Sequence, residues 1–154
     1  MDEQLMMLAL EEAELAYAQG EVPVGAVLVK DGQVLALAHN EREATGDPTA
    51  HAEILALRRG AEKLGSWRLH GCTLYVTLEP CPMCAGAISM SQLDRLVFGA
   101  WDEKQGCCGS VYDLPQDPAF FHRVEVSGGL MEENCQELLQ RFFKARRGVE
   151  RVDK

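Results

Sequence analysis

Two short segments, His51-Ala52-Glu53 and Pro80-Cys81-Pro82-Met83-Cys84, constrain this chain more than anything else in it. If they serve one metal ion, the fold has to bring them to a single point. Between them they offer three good zinc ligands, His51, Cys81 and Cys84, and a carboxylate, Glu53, that the ligand set does not need. Structural zinc sites close their tetrahedron with four protein ligands, whereas catalytic ones keep three and leave the fourth position to water. Three ligands with an acid two residues from one of them therefore read as a catalytic site, in which Glu53 carries protons for that water. Each half alone says less. C-x-x-C also serves as a redox pair, a zinc knuckle or two buried thiols, and His-x-Glu is less specific still. The combination, with Pro80 directly before Cys81, selects catalytic zinc, one ion per chain.

Composition sets the surroundings. With 154 residues, 47% of them apolar, the chain can bury a core without covalent staples, so its six cysteines need not form a disulfide framework. Cys72 and Cys135 fall at apolar-face positions and read as core, and reduced thiols fit a cytoplasmic location. Length predicts one domain over residues 1–154. The acidic start, Met1-Asp2-Glu3-Gln4, signals neither export nor mitochondrial import, and no segment is long and apolar enough to span a bilayer. A net charge of −9 is awkward for a nucleic-acid binder. It is unevenly spread, however: the last segment carries Arg141, Lys144, Arg146, Arg147, Arg151 and Lys154 against Glu150 and Asp153. That basic end reads either as a phosphate-binding surface or as a solvated helix terminus with cations near its dipole's negative end.

Helix and strand patterns alternate. Leu5, Leu8, Ala9, Ala13, Ala16 and Tyr17 recur at helical spacing until Gly20. Residues 22–29 and 34–39 read as two antiparallel strands joined by the Asp31-Gly32 hairpin turn. Asp47 can cap, and Pro48 begin, a helix running to about Leu64, with His51 and Glu53 in its first turn or two. Cys72 to Leu78 is a third strand, Pro82 to about Met90 a short helix, Leu93 to Ala100 a fourth strand, and Arg123 to Ser127 a fifth; Glu132 to about Arg147 is a final amphipathic helix. The strand-helix-strand succession from Cys72 to Ala100 requires a crossover, so the sheet is mixed, with helices on both faces. Both metal-binding segments then lie at helix N-termini, where partial positive charge favours the thiolates of Cys81 and Cys84.

Several stretches together resemble the tRNA-specific adenosine deaminases. They are Glu21-Val22-Pro23-Val24-Gly25-Ala26, Asn40, Pro48 to Glu53, Leu74 to Cys81, Phe98-Gly99-Ala100 with Asp102, Lys104 and Gly106, and Phe142-Phe143 with Arg146-Arg147. The resemblance implies a cytidine-deaminase-like three-layer α/β/α sandwich, here with a five-stranded mixed sheet. It implies hydrolytic conversion of adenosine to inosine at the wobble position of a tRNA anticodon, and a homodimer whose partner helps form the substrate groove. Carried over residue by residue, it has Asn40 hydrogen-bonding the target nucleotide and Val24 and Leu78 lining the base pocket. Asp102 approaches the neighbouring nucleotide and Lys104 its backbone. Phe142 and Phe143 meet bases splayed from the anticodon loop, with Arg146 and Arg147 on phosphate. Such roles suit single-stranded loops, which are read by stacking and by contacts to unstacked bases.

The chain departs from the family pattern at Cys107-Cys108, where small residues are usual, and at Phe121, where Asn is expected. Both fall in the loop that would set preference for flanking nucleotides. Two rival readings stay open: a small-molecule guanine, cytosine or nucleoside deaminase with the same zinc and Glu53, and a zinc-stabilised RNA-binding module without turnover. The Asp102 stretch and the Phe/Arg end speak against the first, and the retained Glu53 against the second.

Overall fold

The structure, a computed structural model, describes the backbone of residues 1–152 and the side chains of residues 1–147. The end of the basic segment, including Arg151 and Lys154, thus lies outside the described side chains. In chain order the elements are α1 (Asp2–Ala18), β1 (Gly25–Lys30), β2 (Gln33–His39), α2 (Arg42–Thr45), α3 (Ala52–Leu64), β3 (Cys72–Leu78), α4 (Pro82–Met90), β4 (Arg95–Ala100), β5 (Glu125–Gly128) and α5 (Glu132–Val152). The strands form one sheet in the order β2-β1-β3-β4-β5. β1 pairs antiparallel with β2 and β3, while β3–β4 and β4–β5 are parallel. The α/β/α sandwich on a five-stranded mixed sheet that the resemblance implies is therefore the fold.

The hairpin forms as its turn chemistry dictates: Asp31 and Gly32 both take positive φ, 50° and 75°, which matches the twist of the strands they join. Gly25 lets α1 lie directly on the sheet, since a Cβ there would fall 1.9 Å from the Ala9 carbonyl oxygen. On the other face Gly60 of α3 meets Leu28 just as closely, at 2.1 Å for the same notional atom. Between these layers β1, β3 and β4 are buried over most of their length.

Several boundaries differ from the expectation: β4 starts at Arg95 rather than Leu93, β5 spans Glu125–Gly128 rather than Arg123 to Ser127, and α5 runs on to Val152. β1 starts at Gly25, because Val22 and Pro23 form an irregular lead-in and Pro23 has no N–H for a ladder. The helix expected from Pro48 begins instead at Ala52, with His51 as its extended N-cap. Asp47 does not cap it: its Oδ1 accepts the N–H and the hydroxyl of Thr49, both at 2.8 Å, which closes a local turn. A one-turn helix the pattern did not suggest, α2, is held from across the chain by the buried Glu21 carboxylate, which accepts the Glu43 and Ala44 N–H groups at 3.0 and 2.8 Å.

Candidate active site

The two motifs meet where the fold brings two helix starts together. His51 is the N-cap of α3 and Cys81 the N-cap of α4, with Pro82 at the first position of α4 and Cys84 one turn in. Cys81 Sγ lies 3.6 Å and Cys84 Sγ 3.4 Å from His51 Nδ1, and all three donor atoms fall within 4.8 Å of one another. A tetrahedral zinc with Zn–S of about 2.3 Å and Zn–N of about 2.0–2.1 Å sets its N···S edges at about 3.6 Å. The donor set therefore fits zinc in both chemistry and spacing. Cys107 is not among the clustered donors.

Electrostatics within the cluster follow from its crowding. The Cys81 thiol is held down to about 4, first by the hydrogen bond from Cys84 and then by that from His51. Cys84 is pushed up, by that same bond to Cys81 and by burial. A divalent cation held by His51, Cys81 and Cys84 would require both thiols as thiolates, its charge replacing the hydrogen bond between them. Glu53, in the first turn of α3, is only 4% exposed and stands outside the donor set. Burial pushes its carboxyl up to about 7 from an ordinary 4.5, which makes it able both to take and to give a proton near neutrality.

Asn40 fastens this site from behind. Its Oδ1 accepts the Ala52 N–H at 2.8 Å, satisfying a free donor at the start of α3, and its Nδ2 donates to the Val22 carbonyl at 3.1 Å. Val24 is buried beside it in the core. Neither bond of Asn40 was legible beforehand, since both partners are backbone atoms. A groove of about 1030 Å³ runs between α5 and the loop after β4, and Leu78, Asp102, Lys104, Phe143, Arg146 and Arg147 all line it. It excludes the metal donors themselves; Leu78, at the end of the strand leading to Cys81, is its link to them. Lys104, Arg146 and Arg147 face Asp102, Glu103 and Glu132 there, so the groove is mixed in sign. Phe142 is buried, edge-on to Tyr17 at 5.7 Å and to Phe143 at 5.5 Å, and borders a smaller hollow beside Glu21 and Arg42. Among the basic residues Arg141 is already engaged, paired with Glu14 at 3.0 Å.

The MafB19-like deaminase family profile matches residues 1–147. The tRNA-specific adenosine deaminase of Bacillus subtilis (strain 168) is 50% identical over 143 residues, covering 93% of this chain and 89% of the relative. A solved structure from biochemical and structural studies of A-to-I editing by tRNA:A34 deaminases at the wobble position of transfer RNA superposes with a TM-score of 0.85 at 47% identity, over 88% of this chain and 99% of the other. The X-ray structure of guanine deaminase from Bacillus subtilis also superposes, with a TM-score of 0.62 at 39% identity over 64% of each chain. With a deaminase profile running along nearly all of its length and half of its aligned residues shared with the Bacillus subtilis protein, the chain belongs to the tRNA-specific adenosine deaminase family.

Proposed function

We propose that this protein hydrolyses the adenosine at the wobble position of a tRNA anticodon to inosine, releasing ammonia, with one zinc held by His51, Cys81 and Cys84. The observation that carries the reaction type is Glu53, an acid buried beside a three-donor cluster that leaves it out. The likeness to the Bacillus subtilis tRNA-specific adenosine deaminase supports the substrate. Zinc supplies a Lewis acid that makes water a nucleophile near neutral pH. The chain's residues do the rest. Glu53 accepts a proton from the attacking water and delivers it to the adenine ring nitrogen beside the reacting carbon. The regenerated carboxylate then takes the second proton from the hydroxyl now on the ring carbon and passes it to the departing amine as the C–N bond breaks, so that ammonia leaves and the ring carbon keeps the water oxygen as a carbonyl. Burial of Glu53 keeps bulk water from short-circuiting that transfer.

Substrate is held along the groove. Leu78, at the groove's end, positions the target nucleotide together with Asn40 and Val24, which are buried off the groove lining, and Asp102 and Lys104 take the neighbouring nucleotide and its backbone. Phe143, with Phe142 packed behind it, offers a stacking face, and Arg146 and Arg147 take phosphate. A cytoplasmic location agrees with the six free cysteines, and no helix among the described residues is long and apolar enough to cross a membrane. A homodimer is supported by the outward face of α4, where Pro82, Met83 and Met90 are exposed, Met90 at 74%, and Gly86 has open space beyond it. Met90→Glu is expected to give monomers by sedimentation; an unchanged dimer would remove α4 from the interface.

One assay separates the readings. The protein is incubated with free bases, nucleosides and anticodon stem-loops while ammonia and inosine are followed. Inosine formed in stem-loops alone is the expected result. Turnover of free guanine would move the assignment to the small-molecule deaminases, and no turnover with retained RNA binding would leave a zinc-stabilised binding module.

A further inference from the structure

Glu79 opens the short link from β3 to Cys81, and it is only 1% exposed. Among the described residues no cation pairs with it. Its charge is met by the loop after β4. Oε1 accepts the Asp102 N–H at 3.0 Å and the Ser110 hydroxyl, and Oε2 accepts the Cys108 and Ser110 N–H groups at 3.1 and 2.9 Å. Gly106 sits so close over the carboxylate that a Cβ there would fall 2.3 Å from Glu79 Cδ. The Cys107 N–H adds a bond to the Pro80 carbonyl at 2.9 Å. Convergent backbone amides of this kind are how proteins bind foreign anions; here the anion is the protein's own.

The same loop carries the groove's near wall. Asp102 Oδ1 accepts the N–H groups of Lys104 and Gln105 at 3.1 and 3.2 Å, a tight turn that presents both residues at the groove. Glu79 lies two residues from Cys81, so one carboxylate ties this wall to the metal-binding segment. We propose that Glu79 is a positioning residue that sets the register between the Cys81 segment and the 102–110 loop, and thereby the reading of the nucleotide beside the reacting base. The inference rests on the tRNA reading above. It requires an acid at this position for a geometric reason. Gln has nearly the same shape, but in either orientation its amide NH2 faces at least one backbone N–H, and a backbone donor cannot turn round.

The test compares the full-length wild type with Glu79→Gln on anticodon stem-loops that differ in the nucleotide next to the target adenosine. For Glu79→Gln, KM on the preferred stem-loop is expected to rise about tenfold, with kcat within about twofold and zinc still at one per chain. The preference between flanking nucleotides narrows by a similar factor. Anisotropy of a labelled stem-loop gives the affinity change without turnover. Ser110→Ala, at an exposed residue that loses only its hydroxyl donor, shifts both readings the same way by about threefold and carries the test if Glu79→Gln does not fold. Lower thermal stability with affinity and preference intact, or a fall in kcat alone, would overturn the proposal and leave Glu79 a scaffold residue. A wild type that binds and deaminates no stem-loop fails separately, by removing the tRNA reading itself.

Discussion

Glu53 and Asn40 show what single side chains reveal and hide. Glu53 stands out in the sequence as an acid two residues from a metal-type histidine, and the structure buries it beside the donor cluster without including it. Replacing it by Ala is expected to leave about one zinc per chain by metal analysis while deamination is lost, since it handles protons without ligating. Loss of zinc in that variant would make Glu53 a ligand. Cys81→Ala or Cys84→Ala should instead release the metal and lower the melting temperature. Asn40 was legible only as a substrate contact implied by resemblance, because its bonds to Ala52 and Val22 run to backbone atoms that no side-chain pattern displays. Asn40→Ala is accordingly expected to cost about 1–2 kcal/mol in urea unfolding, by leaving a helix-start donor without its cap. Unchanged stability with a raised KM would confine Asn40 to substrate contact.

Elements were legible where period and turn chemistry agreed, as in the hairpin at Asp31-Gly32 and the strand from Cys72 to Leu78. The start of α3 was not, because Asp47 has two equally local uses, and bonding Thr49 won over capping a helix. α2 was invisible for a different reason: its stabilising partner, Glu21, precedes the whole hairpin. α5 separates packing from recognition along one helix. Leu138 and Phe142 are buried away from the groove, whereas Phe143, Arg146 and Arg147 line it. Changing Arg146 and Arg147 together to Ala should weaken stem-loop binding and reduce the salt slope of log K by about one to two units, at about 0.7 per phosphate on single strands. Phe143→Ala should cost on the order of 1–3 kcal/mol of binding with little change in slope. Phe142→Ala should instead be read in the unfolding curve, at about 3–5 kcal/mol, as a cavity against Tyr17. Equal effects of the two Phe variants on binding alone would reverse that division.

Across the whole molecule, a mixed sheet with helices on both faces followed from the crossover between Cys72 and Ala100, whereas the long-range polar ties did not. The chain's first helix is secured to the sheet by one of them. Asp2 accepts from Arg95 at 3.1 and 2.8 Å and from the Tyr75 hydroxyl at 2.5 Å, joining the N-terminus to β4 and β3. Arg95 and then Tyr75 hold the Asp2 carboxyl down to about 2 from 3.8. A depressed carboxylate stabilises above its unfolded value, so this contribution is present above pH 4 and is lost as the pH falls toward about 2. Asp2→Asn should therefore be less stable than the parent at neutral pH, by about 1 kcal/mol or less given its partial exposure, and the two should converge in acid. A gap that persists at pH 2 would assign the effect to packing.

The loop gripped by Glu79 has a further property. Its fastening runs almost entirely through main-chain N–H groups, which every residue except proline supplies. Gly106 has to lack a side chain and Gly109 holds a φ of 140° that disfavours one, but the grip itself uses no side chain of residues 103–109; Ser110 alone adds a hydroxyl. This grip leaves a tuning strip: substitution at the exposed Glu103, Lys104 and Gln105 can alter what lines the groove while Glu79 keeps its hold on the main chain.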